Sequence, residues 1–451
     1  MSQISVYLAS MLDWLVDYDG PLFDACVTDP PYHLTSIVKR FGKEGSAECK
    51  VPDNGTGAYA RASRGFMGKE WDGGDIAQRP ETWRRVYDAL KPGAHLVAFA
   101  GTRTYHRMTC AIEDAGFEIR DMVLWHYGSG FPKSHNVANS IDKANGCTNR
   151  GHRIARASAY HPDGTKEPSG DHLPRYAART PDGEAWEGWG TALKPATEPI
   201  CLARKPLDGT VAANVLKHGT GALHIDGCRV AVTGADERDV GRQIKRSQRI
   251  DIDGYGMNRV SSEEGICVVR PDGRWPSNLV HDGSEEVLAA FPDAPGQLAT
   301  VRPDSGSGDK TGAILGKFAA NSDCEPRGDS GSAARFFYSA KAGPLDRIGT
   351  AHATVKPVDL MRWLCRLVTP PGGLILDPFA GSGTTGIAAM AEGFDCAMVE
   401  LEADHAADIE RKLAFLRGEG GVGLIERHKA RIDRAASTKA DDGPLFGGAQ
   451  A

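Results

Sequence analysis

The chain lacks the features that mark zinc-ribbon, membrane-spanning and secreted proteins. Its 451 residues include ten cysteines, but no two of them form a C-x-x-C pair. No apolar run approaches the length of about 18 residues that a membrane helix needs, and the first basic residue is Lys39, whereas a secretory signal begins with a positively charged segment. We therefore expect no membrane association, no metal site and a location in the reducing cytoplasm.

An excess of positive charge is also missing, since 53 Lys and Arg stand against 59 Asp and Glu. If the partner is a nucleic acid, its binding would need basic groups that are concentrated on one face. The contents of hydrophobic residues, 41%, and charged residues, 25%, are ordinary for a globular protein and exclude bulk disorder. The length alone suggests about three domains, or one core domain with large insertions.

Both ends of the chain carry the alternation of strands and helices that is typical of an α/β domain with a mostly parallel sheet. The predicted strands are 23–28, 94–100, 118–125, 335–339, 374–377 and 396–400. Two predicted helices begin at Pro80 and Pro357. Three more cover residues 103–115, 385–392 and 403–416. These two ends are interpreted as halves of one sheet.

The middle of the chain has weak and mixed signals, apart from one isolated strand near 198–205 that we expect to return to the same sheet. We predict four regions along the chain. They are a catalytic half over 1–132, a target-recognition region with insertions over 133–334, a cofactor-binding half over 335–420, and a flexible tail over 421–451.

The segment Asp29-Pro30-Pro31-Tyr32 follows the first of these strands and is a candidate site for a planar amine. The two prolines offer carbonyl acceptors and no N–H donors, Asp29 adds a carboxylate, and Tyr32 adds an aromatic face. Acceptors placed in this way can hold both hydrogens of an exocyclic NH₂ group and direct the nitrogen lone pair at an electrophile. The alternative is a proline-rich turn with a packed tyrosine.

The second candidate site is the glycine-rich turn at 377–385, between a predicted buried strand and a helix. Its glycines let the backbone approach a ligand, and the helix N-terminus favours polar or anionic groups. Gly381, Gly383 and Gly386 match G-x-G-x-x-G, so a dinucleotide site is an alternative, as is a plain strand–helix turn. Glu400 ends the next strand and suits a contact with the ribose of a dinucleotide or of another nucleoside-containing cofactor. A phosphate-binding P-loop is excluded because no Lys-Ser/Thr pair follows the glycines.

Together, the two motifs resemble the catalytic and cofactor motifs of the amino-group DNA methyltransferases, in the order of their β class. The segment 352–357, His-Ala-Thr-Val-Lys-Pro, is similar to the stretch of that family that closes over the methionine end of S-adenosylmethionine. The resemblance covers roughly residues 20–132, the strand near 198–205, and residues 335–415. It implies a doubly wound, mostly parallel α/β sheet of the S-adenosylmethionine-dependent methyltransferase type with a large central insertion.

The resemblance also implies two groups of site residues. The catalytic group accepts the hydrogens of the target amine and stacks on the flipped base, and it consists of Asp29, Pro30, Pro31 and Tyr32. The cofactor group is expected to hold S-adenosylmethionine, with Glu400 on the ribose hydroxyls, and it consists of Asp29, Thr354, Lys356, Asp377, Phe379, Ala380, Gly381, Ser382, Gly383, Thr384 and Glu400. For Lys356, the alternative is that it merely precedes a helix start.

The implied reaction transfers a methyl group from S-adenosylmethionine to N6 of adenine in double-stranded DNA, by base flipping and direct in-line transfer. Asp29 favours adenine, whereas serine at that position favours N4 of cytosine, which stays open as the target. The motifs are also compatible with an RNA or protein amide methyltransferase, a catalytically inert DNA-binding protein or an NAD-dependent dehydrogenase. A restriction–modification system and a solitary phage enzyme are equally compatible settings.

DNA recognition is predicted for the central region. Basic residues outnumber acidic ones between 133 and 180, and more lie between 238 and 249, which suits phosphate contacts; a solvated loop is the alternative. The loop 128–134 could line the substrate cleft or pack only on the scaffold, and Trp186 and Trp189 are expected to anchor the insertion, with stacking on bases as the alternative. The resemblance implies a homodimer, and the tail segment 442–446 weakly resembles peptides that dock on the replication sliding clamp.

Overall fold

The computed structural model describes residues 2–32, 75–130, 134–147, 177–230, 243–245, 266–268, 274–294, 331–340, 346 and 355–418. Within them, the strands are β1 (Ile4–Leu8), β2 (Phe23–Thr28), β3 (Leu90–Phe99), β4 (Glu118–His126), β5 (Thr197–Arg204), β6 (Gln243–Lys245), β7 (Ile266–Val268), β8 (Leu279–His281), β9 (Tyr338–Ser339), β10 (Leu374–Asp377) and β11 (Asp395–Glu400). Nine of them form a sheet in the order β1-β11-β10-β2-β3-β5-β4-β8-β9, and β6 pairs with β7 in a separate sheet.

The helices in the same part of the chain are α1 (Met11–Asp17), α2 (Pro80–Ala89), α3 (Tyr105–Asp114), α4 (Val137–Ala144), α5 (Pro181–Glu184), α6 (Val211–His218), α7 (Glu285–Ala290), α8 (Val358–Val368), α9 (Thr384–Glu392) and α10 (Ala403–Arg417). Shorter 3₁₀ segments lie at Ile76–Gln78, Asp226–Cys228 and Ala333–Phe336.

The large sheet is parallel except at β5, which runs antiparallel to both of its neighbours, β3 and β4. The N-terminal end of β5 therefore lies at the edge where the parallel strands end. Thr197 pairs with His126 at the end of β4, and Ile200 pairs with Phe99 at the end of β3. We call this edge the carboxyl edge of the sheet, because ligands of open α/β sheets bind outside the carboxyl ends of the strands.

Helices cover both faces of the sheet and enclose two hydrophobic cores. One core packs α8, α9 and α10 against the sheet through residues such as Trp363, Leu364 and Ile409. The other core packs α1, α2 and α3 against the opposite face, with Trp83 and Ile112 fully buried. This arrangement confirms the predicted doubly wound α/β class.

Helix α8 follows the sequence prediction closely. It begins after Pro357, its side chains Leu360, Trp363 and Leu364 are buried, and it ends before the Pro370-Pro371 pair. The apolar stripe of this helix is buried against the sheet, which fixes the face that the helix turns to the core.

The predicted strand at 335–339 is only partly present. Residues Ala333–Phe336 form a 3₁₀ helix, and only Tyr338–Ser339 join the sheet as β9. The hydroxyl of Ser332 accepts a hydrogen bond from the backbone N–H of Ala334, and Arg335 donates to the carbonyls of Gly331 and Ser332. These local bonds compete with strand pairing, which the apolar sequence pattern did not reveal.

The chain divides into two compact units, one formed by Met1–Tyr127 and Thr197–Ala451 and the other by Gly128–Ala196. The smaller unit contains α4 and α5, and in it the buried Asp142 accepts hydrogen bonds from the backbone and side chain of Thr180. Trp186 and Trp189 pack edge-on against each other and are 45% and 59% exposed, which does not fit the predicted anchoring role. The compact unit is shorter than the predicted region 133–334, whose role in DNA recognition stays a prediction.

Among the described residues, no helix is both long enough and apolar enough to cross a bilayer.

Candidate active site at the carboxyl edge

The two sequence motifs meet at the carboxyl edge because their strands are neighbours. Strand β2 ends one residue before Asp29, β10 ends at Asp377, and the two strands pair in parallel. The hydroxyl of Thr28 donates a hydrogen bond of 2.7 Å to Oδ1 of Asp377, across 349 positions of sequence. The catalytic and cofactor motifs that the sequence predicted therefore leave the sheet side by side.

Asp377 anchors the start of the glycine-rich turn. Its side chain is buried, and Oδ1 also accepts a hydrogen bond of 3.1 Å from the backbone N–H of Phe379. Burial raises the pKa of Asp377 to about 6, and the nearby Asp29 acts in the same direction, while hydrogen bonds from Thr385, Thr28 and Phe379 oppose the shift. This carboxyl group is therefore costly to ionise and is held in place by its donors.

The glycines of the turn are required by the backbone and by packing. Gly381 and Gly383 have φ values of +51° and +75°, a region that residues with side chains seldom adopt. A Cβ on Gly383 would lie 2.8 Å from Cγ2 of Ile409, and a Cβ on Gly386 would overlap the side chain of Met398. The turn therefore packs directly on α10, and the first turn of α9 packs directly on β11.

Glu400, at the end of β11, closes the other side of the turn. Its Oε2 accepts a hydrogen bond of 2.7 Å from the backbone N–H of Gly381, and its Oε1 accepts one of 2.9 Å from Glu402. A carboxylate has about four lone-pair positions, so both oxygens can still accept hydrogen bonds from hydroxyl groups of a ligand. The predicted contact of Glu400 with a ribose is compatible with this geometry and stays a prediction.

Lys412 supports the turn from α10, and the sequence analysis missed it. Its Nζ donates a hydrogen bond of 2.7 Å to the carbonyl oxygen of Ser382, and burial lowers the pKa of Lys412 to about 8, with Asp408 opposing. The available signal was a lysine on the same helix face as the buried Ile409 and Leu413. A lysine on an apolar face indicates a buried partner.

Lys356 binds two residues of the catalytic motif, Asp29 and Tyr32. Its Nζ is 2.8 Å from Oδ2 of Asp29, 3.0 Å from Oε2 of Glu198 and 3.0 Å from the hydroxyl of Tyr32. Burial lowers the pKa of Lys356, but the carboxylates of Asp29 and Glu198 outweigh it, and the net shift is upward. An ammonium group has three donors, and these protein acceptors use all of them. The predicted contact of Lys356 with the methionine end of the cofactor would require one of these bonds to break.

The hydroxyl of Tyr32 is bound by two side chains, Glu198 and Lys356. It donates a hydrogen bond of 3.1 Å to Oε2 of Glu198, and burial together with the charges of Asp29 and Glu198 raises its pKa. The phenol therefore stays neutral. The ring borders a shallow recess that is lined by Pro31, Tyr32, Ala77, Gln78, Ala100, Thr104 and Met108.

Asp29 has one carboxylate oxygen without a partner. Its Oδ2 is bound by Lys356, whereas Oδ1 is buried and makes no hydrogen bond with any described residue. A buried acceptor of this kind costs free energy unless a ligand satisfies it, so each instance calls for an explanation. In this site, Oδ1 is available to a hydrogen-bond donor of a substrate.

The remaining predicted residues divide into two groups. Pro30 is buried beside Asp29, Phe379 is half-buried, and the other turn residues, Ala380, Ser382 and Thr384, are buried. Thr354 lies outside the described residues. So do residues 131–133 of the predicted cleft loop, the tail segment 442–446, and most of the predicted basic residues, of which Lys143, Arg179 and the backbone of Lys245 are described. The described residues contain no group of three or more side chains that could hold a metal ion.

Comparisons with known proteins identify the family of this chain. A sequence profile described as DNA methylase, of N6 and N4 type, matches residues 23–411. The type II methyltransferase M.HindIII of Haemophilus influenzae is 32% identical over 198 residues, which are 43% of this chain and 48% of that protein. The chain thus matches about half the length of this relative.

Two solved structures align with most of the chain at low identity. The M1.HpyAVI–SAM complex has a TM-score of 0.36 and 14% identity, and the alignment covers 91% of this chain and 99% of that one. The PvuII DNA methyltransferase, described as cytosine-N4-specific, has a TM-score of 0.37 and 12% identity, with 97% and 94% of the chains covered.

The profile match extends over most of the chain and includes both motifs. It confirms the resemblance predicted from these motifs, and with it S-adenosylmethionine as the cofactor. The chain belongs to the DNA methylase family with N6 and N4 members.

Proposed function

We propose that this protein transfers the methyl group of S-adenosylmethionine to an exocyclic amino group of a DNA base, and that the target is N6 of adenine. The observation that carries the proposal is the unpartnered Oδ1 of Asp29. The residue before it, Thr28, is hydrogen-bonded to Asp377 at the start of the glycine-rich turn, so the two motifs are neighbours. Family membership supports DNA as the substrate.

The residues of the turn fit S-adenosylmethionine. Glu400 retains acceptor capacity for two ribose hydroxyls, and the glycine backbone at 381–383 leaves room for close approach. Asp29, Asp377 and Glu400 make this edge of the sheet acidic, which favours a ligand that carries a positive sulfonium. When bound, the cofactor supplies an electrophilic methyl group on that sulfur.

The chain's own residues account for the activation of the amine. Tyr32 stacks on the base that has left the duplex, while Oδ1 of Asp29 and the carbonyl of Pro30 accept the two amino hydrogens. These acceptors favour a pyramidal nitrogen and stabilise the positive charge that grows on it as the N–C bond forms and the S–C bond breaks. The electron pair of the broken S–C bond stays on the sulfur, and the nitrogen then passes one hydrogen as a proton to Oδ1 of Asp29, which already accepts it, and from there to water. Alignment of the reacting groups contributes up to about 7–11 kcal/mol.

The choice of adenine rests on Asp29 at the first position of the catalytic motif. Adenine and cytosine present the same pair of amino hydrogens to these acceptors, so N4 of cytosine is the second candidate. The family contains both kinds of enzyme.

A labelling experiment tests the function and the base together. The protein is incubated with methyl-labelled S-adenosylmethionine and unmethylated genomic DNA, the DNA is digested to nucleosides, and the labelled nucleoside is identified. We expect label on N6-methyldeoxyadenosine. Label on N4-methyldeoxycytidine would overturn the base assignment, and label on RNA or protein but not on DNA would overturn the substrate class.

Three further predictions belong to this proposal. They are recognition of double-stranded DNA by the central region, a homodimer, and a cytoplasmic location. The tail segment 442–446 adds only a weak resemblance to peptides that dock on a sliding clamp. Phosphate contacts by the central region would make DNA binding salt-dependent, which is measured as the slope of log affinity against log salt.

A further inference from the structure

Glu198 joins the catalytic motif from a strand that the sequence analysis did not connect with the site. It is the second residue of β5, and it reaches the carboxyl edge because β5 runs antiparallel to its neighbours. Its backbone is held in the sheet opposite Trp125 of β4. The carboxylate of Glu198 is therefore presented from a rigid element.

A single oxygen of Glu198 accepts hydrogen bonds from Tyr32 of the catalytic motif and from Lys356, which binds that motif. Oε2 lies 3.0 Å from Nζ of Lys356 and 3.1 Å from the hydroxyl of Tyr32, and Nζ of Lys356 also donates to that hydroxyl at 3.0 Å. These three bonds form a closed triangle. A ring of mutually satisfied polar groups restricts the position of each member, here the phenol of Tyr32 above all.

We propose that Glu198 is a positioning residue that orients the aromatic ring of Tyr32 for stacking on the target base. The inference rests on the proposed function. In this arrangement the Tyr32 hydroxyl is occupied by Glu198 and Lys356, and only the ring face is offered to the base.

The charge of Glu198 has a second consequence. Lys356 also binds Asp29 at 2.8 Å, and without another anion nearby it would cancel the charge of that carboxylate. With Glu198 present, two carboxylates share one ammonium group, and the cluster keeps one net negative charge. A negative cluster stabilises the positive charge that develops on the amine nitrogen.

The structure suggests the effect of changing Glu198. Glu198→Gln keeps an acceptor for Tyr32 and Lys356 but removes the charge, and Glu198→Ala removes both. Because a misplacement of about 1 Å can reduce a rate on the order of 100-fold, we expect kcat on DNA to fall roughly 10-fold in Glu198→Gln and roughly 100-fold in Glu198→Ala. The affinity for S-adenosylmethionine should stay within about twofold of wild type, because Glu198 lies outside the glycine-rich turn.

A double-mutant cycle separates positioning from a merely structural role. Tyr32→Phe keeps the ring and removes the hydroxyl that binds Glu198. If Glu198 acts through this hydroxyl, the double variant Tyr32→Phe/Glu198→Ala should be no slower than the slower single variant, because Glu198→Ala alone already removes the acceptor. Independent effects, which multiply in the double variant, would overturn the inference.

The matched control is Glu118→Gln. Glu118 binds Arg204 at the opposite end of β5, at 2.6 Å, so the variant also removes a carboxylate bound across this strand, but far from the catalytic motif. We expect wild-type kcat for Glu118→Gln. Wild-type kcat for Glu198→Ala would overturn the positioning role alone, and wild-type kcat for Glu198→Gln would overturn the role of its charge. Failure of the wild-type protein to label DNA would overturn the proposed function and this inference with it.

Discussion

Replacement of Gly383 by alanine should weaken both the fold and cofactor binding, for two reasons that can be measured separately. The φ of +75° costs roughly 1–2 kcal/mol for a residue with a Cβ. The new Cβ would also lie 2.8 Å from Cγ2 and 2.9 Å from Cγ1 of Ile409, and overpacking of this kind costs about 1–3 kcal/mol. The two effects together reduce the free energy of unfolding by about 2–5 kcal/mol.

Gly393→Ala is the matched control for the backbone effect. Gly393 ends α9, the helix that Gly383 begins, and its φ is +84°, but nothing lies within 4 Å of a Cβ placed there. Its free energy of unfolding should therefore fall by only about 1–2 kcal/mol. The difference between the two variants isolates the contact with Ile409.

The assay is urea unfolding of wild type and both variants, with titration calorimetry of S-adenosylmethionine on each. Gly383→Ala should bind the cofactor more weakly than Gly393→Ala, because only the former displaces the turn. Ile409→Ala combined with Gly383→Ala should destabilise the protein by less than the sum of the two single losses, since it removes the atoms in conflict. Equal losses of stability in the two glycine variants would refute the argument that the contact with α10 constrains this turn.

Three further predictions concern single residues of the site. Asp29→Ala should keep cofactor binding, measured by equilibrium dialysis, and lose most methyl transfer; a fully active variant would contradict the role of Oδ1. The pKa of Asp377, about 6, lies above its ordinary value of 3.8, so the folded state holds this proton more tightly than the unfolded state. Wild-type stability should therefore fall by roughly 3 kcal/mol between about pH 4 and pH 6, and Asp377→Asn should lack this part of the pH dependence in urea unfolding; identical pH slopes would argue against it. Lys412→Met leaves the carbonyl of Ser382 without its buried donor, so the Kd for S-adenosylmethionine should rise about 10-fold in calorimetry; an unchanged Kd would show that the bond does not support the turn.

The two motifs could be recognised in the sequence because each is a contiguous segment with its own local requirements. Asp29 to Tyr32 combine a strand end, two residues without N–H groups and an aromatic ring. The turn at 377–385 needs glycine where φ is positive, as the structure shows at Gly381 and Gly383. Requirements that are satisfied within a few residues leave a pattern in the sequence.

The contacts that these motifs make with distant parts of the chain were not predicted: Glu198 and Lys412 were missed, and Lys356 was expected at the cofactor and not at Asp29. Glu198 reaches the site only because one strand runs against the others, and Lys356 is drawn to Asp29 and Glu198 by their charges. Lys412 reaches the turn only through the packing of α10 on the sheet. No local pattern near any of these residues names its partner.

The α/β class, the two motifs and their order were therefore encoded in short stretches of sequence, since hydrophobic periodicity and backbone geometry act over a few residues. Tertiary structure alone decided that β2 and β10 are neighbours, that Lys356 binds the catalytic motif, and that one oxygen of Asp29 is left for a ligand. The physical reason is that ion pairs, burial and strand order depend on which distant segments share a core, and a single sequence does not display this pairing.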